Sequence, residues 1–303
     1  MKLDVVSILD LKDDLEEIIA SAMRLKAGEF RNEFPLKGRT LAMIFEKSST
    51  RTRVSFEAGM AQLGGHALNL VPKELQLGRG ETIADTAKVL SRFVDCIMYR
   101  AFDHKMVLEL AKNATIPVIN ALDDLEHPCQ TVADLMTVKE EKGTFEGLKL
   151  AYFGDGNNVC NSLMLGSAMV GMDFVAATPE GYRPDKGLTM TAASLAKEGG
   201  SSLEIIEDPM EAAKGADILY TDTWISMGME EEAKERLAAF HEYQLNAPLV
   251  ELAEKDCLVM HCLPAHRGEE ISGEVMDGPR SVIFDQAENR MHTEKAILLK
   301  LIR

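Results

Sequence analysis

Basic residues are scarce in this chain. There are 33 Lys and Arg against 49 Asp and Glu, a formal charge of −16 over 303 residues. A nucleic-acid binder carries a basic footprint, so that class is excluded. Cysteines are also few: Cys96, Cys129, Cys160, Cys257 and Cys262, an odd number with no C-x-x-C pair, each in or beside an apolar run. Neither a disulfide framework nor a zinc ribbon fits that pattern, and a reducing, cytoplasmic setting is expected. No window approaches about 18 uncharged apolar residues, so no membrane span is expected. The opening MKLDVVSILDLKDDLEEI carries acids early and lacks a long apolar stretch, so no secretory signal is expected either. Two nucleotide signatures are missing. GxxxxGK[ST] does not occur. The turn FGDGNNV has Val159 where a dinucleotide motif places its third glycine, and Thr178 stands where an acid should end the next strand. A nicotinamide-dependent enzyme is thereby disfavoured.

What is present is alternation. Short apolar, β-branched runs at 40–46, 66–71, 94–100, 117–122, 148–154, 173–178, 203–207, 217–222, 257–262 and 281–285 are read as strands. Helical patterns fall between them, for example at 82–93, 104–114 and 130–143. This predicts an α/β protein of two domains, each a central, mainly parallel sheet flanked by helices, joined by two interdomain helices. The boundary is placed on the helix QTVADLMTVKEEKG, giving 1–133 and 134–288. The last helix, 293–303, has Ile297, Leu298 and Leu301 on one face and is expected to pack back on the first domain, which then includes 289–303. Open parallel sheets bind ligands beyond the carboxyl ends of their strands. The unusual residues lie there, at one edge of two sheets expected to face each other across a cleft.

The sharpest of these is SSTRTR, 48–53. It starts a helix, with Ser48 or Ser49 as N-cap and Val54, Ala58, Met60 and Ala61 near helical spacing. The positive end of a helix dipole disfavours cations, yet Arg51 and Arg53 sit in the first turn. Free first-turn N–H groups, the hydroxyls of Ser49, Thr50 and Thr52, and an Arg fork converge on what a phosphate satisfies best. Arg53 is read instead as a partner of Glu57. Arg100 ends a strand in YRAFDH. His127 precedes Pro128, which suits a first helical position and disfavours helical geometry at His127, and Gln130 follows. Asn157 and Asn158 offer amides suited to an amino-acid head group. Asp222 at a strand end can hold an ammonium, and Gly228 suits a flexible loop after Ser226 and Met227. Cys262 ends a strand, Leu263-Pro264 is read as extended with a free Leu263 carbonyl, and His261 and His266 stand near enough in sequence to support a thiolate. Arg290 precedes the last helix.

Taken together, SSTRTR, HPCQTVADL, DTWISMG, HCLPAHRGEEI and ENRMHT, in this order and spacing, resemble the aspartate/ornithine carbamoyltransferase family, its ornithine-specific branch most. The resemblance runs from about residue 40 onward. It implies transfer of the carbamoyl group of carbamoyl phosphate to the δ-amine of L-ornithine, within arginine biosynthesis, by a homotrimer or multiple of trimers with shared sites. No metal and no organic cofactor is implied. It makes 1–133 with 289–303 the carbamoyl phosphate-binding domain and 134–288 the ornithine-binding domain. By position, Ser49, Thr50, Arg51 and Thr52 resemble the phosphate cradle. Gln76 resembles a residue reaching a neighbouring subunit's site. Arg100, His127 and Gln130 resemble the groups on the carbamoyl end, and Arg290 the last donor contact. Asn158, Asp222, Ser226 and Met227 resemble the ornithine set. Cys262 and the Leu263 carbonyl resemble groups beside the δ-nitrogen and count with the carbamoyl phosphate contacts. Arg100, His127, Asp222 and Cys262 resemble the catalytic groups. Cys129 departs from the usual HPTQ. Aspartate-specific relatives carry an HPLPR-like segment where this chain has HCLPAHR, and putrescine-specific ones lack the SMG segment. A non-catalytic relative is the remaining alternative, and every carried-over position is filled.

Overall fold

The computed structural model describes residues 2–29, 32–71, 80–226 and 230–302. It divides into two units, Met1–Met136 with Glu288–Arg303, and Thr137–Ala287.

In the first unit, α1 (Leu15–Lys26) precedes β1 (Thr40–Phe45), α2 (Thr50–Gln62), β2 (His66–Leu70), α3 (Ile83–Leu90), β3 (Cys96–Arg100), α4 (His104–Asn113) and β4 (Val118–Leu122). The four strands are parallel in the order β2-β1-β3-β4. Strands covered on both faces read as continuous apolar runs, which is why TLAMIF and CIMYR are buried almost throughout. The edge strand β2 is only half covered. At the other edge Val5 pairs with Ile119, donating to the Val118 carbonyl at 2.9 Å, so the N-terminal segment shields β4. Ile44, Ile97, Tyr99, Val107 and Leu110 form part of the core on this sheet. Gly64 ends α2 with φ +81°, and a Cβ there would meet Phe34 at 2.5 Å, so only glycine fits.

The second unit continues from α5 (Pro128–Lys142) through β5 (Lys149–Phe153), α6 (Asn158–Met169), β6 (Asp173–Ala177), α7 (Lys186–Gly199), β7 (Leu203–Ile206), α8 (Pro209–Ala213) and β8 (Ile218–Thr221). Then come α9 (Ala233–Phe240), α10 (Ala247–Leu252), β9 (Leu258–His261), α11 (Gly273–Met276) and α12 (Ile283–Leu301). Its five strands are parallel in the order β7-β6-β5-β8-β9. Phe153, Leu219, Trp224, Phe240, Val259 and Ile283 share its core. The division between units falls inside α5 and α12, so two helices join two α/β domains.

Three readings of the sequence are corrected. Residues 281–285 are not a strand. Only Ser281 bridges Val259, and Ile283 already begins α12. Three apolar residues in a row have no period of their own, and here helix continuation wins. The last helix therefore starts ten residues earlier than 293. The third concerns α2, whose buried face is Thr52, Ser55, Phe56, Gly59 and Met60, while Val54 is 57% exposed. Small and hydroxylated residues pack inward there, and apolar periodicity misses them.

Candidate functional site

In each sheet the strand order reverses once, between β1 and β3 in the first and between β5 and β8 in the second. Loops leaving neighbouring strands part at such a point and open a crevice beyond the carboxyl ends. The candidate residues gather at both.

At the first, Phe45 pairs with Arg100 and Arg100 with Leu122, so the loops after β1, β3 and β4 leave side by side. Ser49 caps α2, its hydroxyl accepting from Thr52 N at 3.3 Å and bonding Thr52 Oγ1 at 3.1 Å. No acid stands in that first turn. Arg53 pairs with Glu57 at 3.5 Å on the surface, as expected for it, and leaves Arg51 as the turn's half-buried cation.

His127 sits at the start of α5, its carbonyl accepting from Gln130 N at 3.1 Å and Thr131 N at 3.3 Å, with Pro128 at the first helical position. The turn that presents it is built on Asp123, fully buried. Its carboxylate accepts from Leu125 N, Glu126 N and Asn120 Nδ2 at 2.9, 2.8 and 2.8 Å and lies 2.6 Å from His104 Nδ1. That contact to Asp123 raises the His104 pKa. Composition and periodicity give no sign of this support. The His127 imidazole is buried, and burial together with Arg290, Arg100 and Arg51 holds its pKa well below the usual range. It is a neutral ring among three guanidinium groups. Gln130 and Arg290 are linked directly, Arg290 Nη1 donating to Gln130 Oε1 at 2.8 Å, and Arg290 Nη2 lies 3.4 Å from Thr52 Oγ1. Lys47 stands over the Phe102 ring at 5.0 Å, and burial, then Arg100, lowers its pKa. Ser49, Arg51, Thr52, Arg100, His127, Gln130 and Arg290 thus belong to one region of the first unit. Thr50 is exposed in the same first turn. Gln76 lies outside the described residues.

At the second reversal the centre is Asp222, just past β8. One carboxylate oxygen accepts from Cys262 Sγ at 2.9 Å and from Thr223 N at 2.7 Å, and the other accepts from Asn157 Nδ2 at 2.8 Å. Asn157 caps α6, its Oδ1 accepting from Val159 N at 2.9 Å and Cys160 N at 3.2 Å. Asn157 therefore holds Asp222, while Asn158, first residue of α6, accepts from Val159 N at 3.0 Å. The sequence offers both asparagines for a head group, but nothing in it singles out Asn157 as the one that positions Asp222. Gly154 ends β5 with φ +116°, and a Cβ there would lie 3.1 Å from Trp224 Nε1, so this turn requires glycine. Asp155 next to it forms a buried ion pair with Arg236, which also donates to the Trp224 carbonyl at 2.6 Å. Burial pushes the Asp155 carboxyl up to about 6, against the pull of Arg236. Ser226 is half buried two residues past Trp224, and Met227 lies outside the described residues.

Leu263 is not extended. Its φ is +59° and the Leu263-Pro264 bond is cis. Leu263 N donates to His261 Nδ1 at 2.8 Å, which turns the chain back on itself. A left-handed non-glycine residue costs about 1–2 kcal/mol, and the surrounding bonds sustain it. Since His261 Nδ1 accepts, Nε2 carries the proton and meets Glu270 Oε1 at 3.1 Å. Burial works to raise the Glu270 pKa, but hydrogen bonds from His261 and His266 N hold it below the usual range. Cys262, Asp222 and His261 are close enough to suggest metal ligation. Both nitrogens of His261 are engaged, however, and the thiol already donates to Asp222. His261 thus shapes the loop rather than activating the thiol.

Comparison with known proteins bears on both regions. Residues 3–140 match the family model "Aspartate/ornithine carbamoyltransferase, carbamoyl-P binding domain", and 146–301 match "Aspartate/ornithine carbamoyltransferase, Asp/Orn binding domain". A "catabolic" ornithine carbamoyltransferase of Thermoplasma volcanium is 58% identical over 301 residues, 99% of each chain. The Bacillus subtilis ornithine carbamoyltransferase is 55% identical over 300 residues, 99% of this chain and 93% of its own. The solved structure of the Pyrococcus furiosus ornithine carbamoyltransferase superposes with a TM-score of 0.96 at 52% identity, covering 100% of this chain and 98% of that one.

Proposed function

The chain belongs to the aspartate/ornithine carbamoyltransferase family, and we propose that it uses the two regions described above to transfer the carbamoyl group of carbamoyl phosphate to the δ-amine of L-ornithine, giving L-citrulline and phosphate. The observation that carries the site assignment is His127, a neutral imidazole set among Arg51, Arg100 and Arg290. A neutral ring N–H can polarise a carbonyl oxygen while the guanidinium groups take the charge of a phosphate.

Carbamoyl phosphate already carries a good leaving group, so orientation, polarisation and proton removal are what the protein supplies. Ser49, Thr50, Arg51 and Thr52 cradle the phosphate with the first-turn N–H groups of α2. Arg100, His127 and Gln130 hold and polarise the carbamoyl end, and Arg290 completes the donor contacts. Asn158, Asp222, Ser226 and Met227 bind ornithine, with Asn157 fixing Asp222. The δ-ammonium loses a proton beside Asp222 and Cys262. Its lone pair attacks the carbonyl carbon, a C–N bond forms, the C–O bond breaks, phosphate leaves with that electron pair, and the proton shed by the new amide nitrogen passes to the departing phosphate. The Leu263 carbonyl lies with Cys262 next to the reacting nitrogen.

The proposal extends to a homotrimer in which Gln76 reaches a neighbouring subunit's site, to the cytoplasm, and to citrulline formation for arginine biosynthesis. Among the described residues no helix is long and apolar enough to cross a membrane. Light scattering on purified protein tests the trimer. A substrate panel tests the reaction. Citrulline formation from L-ornithine is expected to outpace carbamoylation of putrescine or aspartate, and faster use of either would overturn the assignment.

A further inference from the structure

Arg290 is not alone in its pocket. One turn along α12 stands Glu294, 0% exposed in its side chain against 4% for Arg290. Glu294 Oε1 accepts from Arg290 Nε at 3.1 Å and Nη2 at 2.7 Å. The same guanidinium donates from Nη1 to Gln130 and meets Thr52 through Nη2. Gln130 is anchored in turn, its Nε2 donating to Asp134 Oδ1 at 2.8 Å. The guanidinium plane is therefore set by three elements, with the carboxylate behind it. Neither the family resemblance nor any motif of this sequence gives Glu294 a role.

A fully buried carboxylate is costly, and pairing with a buried cation offsets that cost only in part. An ion pair buried purely for stability has no reason to be built on the cation that meets the substrate. We propose that Glu294 is a positioning residue for the phosphate-bearing donor: it fixes the Arg290 guanidinium against Gln130 and Thr52, and its ionisation sets how strongly Arg290 holds the donor. This rests on the donor assignment above.

The physical consequence is competition. Ionised Glu294 and the incoming dianion share one guanidinium, so the carboxylate weakens the grip and the dianion raises the proton affinity of the carboxyl. Burial already pushes the Glu294 carboxyl up to about 7, opposed by Arg290 and by the Ser55 hydroxyl of α2. Arg290 is its partner on α12, Cys129 on α5 is held as a thiol by burial, Asp134 on α5 is bonded to Gln130, and His127 at the start of α5 is held neutral. Glu294 is thus the group of this cluster placed to change charge near neutral pH.

The test is the KM for carbamoyl phosphate between pH 6 and 8.5, in the wild type and in Glu294→Gln, which keeps an acceptor for Arg290 and removes the charge. The wild-type KM is expected to rise about three- to tenfold across the range, as one titrating charge allows. The variant is expected to be flat and to bind more tightly at pH 8.5, with its KM for ornithine unmoved. Identical pH profiles, or equal shifts in both KM values, would overturn the inference. Absence of any wild-type turnover would instead strike the function assigned above. Calorimetry on the wild type alone covers the case of a variant that does not fold. Sulfate, a dianion that does not titrate here, should bind at pH 7 with net proton uptake, read from two buffers of different ionisation enthalpy. Binding without proton uptake would overturn the inference equally.

Discussion

The two sheets reverse their strand order in the same way and put opposite chemistry at the reversal. In the first unit Arg51 in the first turn of α2 after β1, Arg100 at the end of β3 and His127 after β4 gather there, with Arg290 supplied from α12. In the second, the loops after β5, β8 and β9 carry Asn157, Asp222 and Cys262 around one carboxylate. The topology makes a crevice without choosing a ligand, and the side chains decide between a phosphate and an ammonium. The contrast is sharper because the chain as a whole is strongly acidic. An acidic pocket agrees with the bulk field, while a cluster of guanidinium groups around a neutral imidazole has to be built against it.

Three changes probe that contrast, the largest effect first. His127→Asn should lower kcat by about 10²–10³-fold, the range for removing one donor to a developing oxyanion. It should not remove an acid limb between pH 6 and 8, because His127 is already neutral there. The same depressed pKa has a stability consequence. In the unfolded chain this histidine protonates near its ordinary value, about 6.5, and in the fold it resists protonation. Stability is thus lost as pH falls below about 6.5, and His127→Asn should reduce that loss, as urea denaturation at pH 5 and pH 7.5 will show. A smaller effect is expected in the second unit. Asn157→Ala removes one hydrogen bond to the Asp222 carboxylate and should raise the KM for ornithine about ten- to hundredfold, a bond to a charged group being worth about 1.5–3 kcal/mol. The KM for carbamoyl phosphate should stay within twofold in steady-state assays. Smallest of all is Arg53→Ala. The exposed pair with Glu57 is worth at most about 1 kcal/mol, so thermal melting and both KM values should hardly move. A large loss of donor affinity there would mean that the two arginines of the helix start had been assigned the wrong way round.

Much of this molecule could be read from its sequence, because parallel strands buried on both faces leave continuous apolar runs. TLAMIF, KLAYF and LVMH are such runs, and all three are strands. The run at 281–285 looks the same and is not, since three apolar residues do not distinguish a buried strand from a helix start. Residues at strand ends were legible for a second reason: polar groups such as Arg100 and Asp222 interrupt apolar surroundings. What stayed hidden is the supporting layer. Asp123, Asn157 and Glu294 look like an ordinary turn acid, an N-cap and one half of a surface helix pair. Their importance lies in burial and in which atoms they meet, and neither has a sequence period. The turn at Leu263 leaves no sequence signal because its cause, capture of the Leu263 amide by His261, is a side-chain contact.

The division of labour between the units has one direct test, equilibrium binding of carbamoyl phosphate to Arg51→Ala and Asp222→Asn proteins side by side. Removing a charged fork from a dianion should weaken the first by about 10²-fold or more, while the second should bind as the wild type does. Equal loss in both, or undiminished binding to Arg51→Ala, would contradict the account.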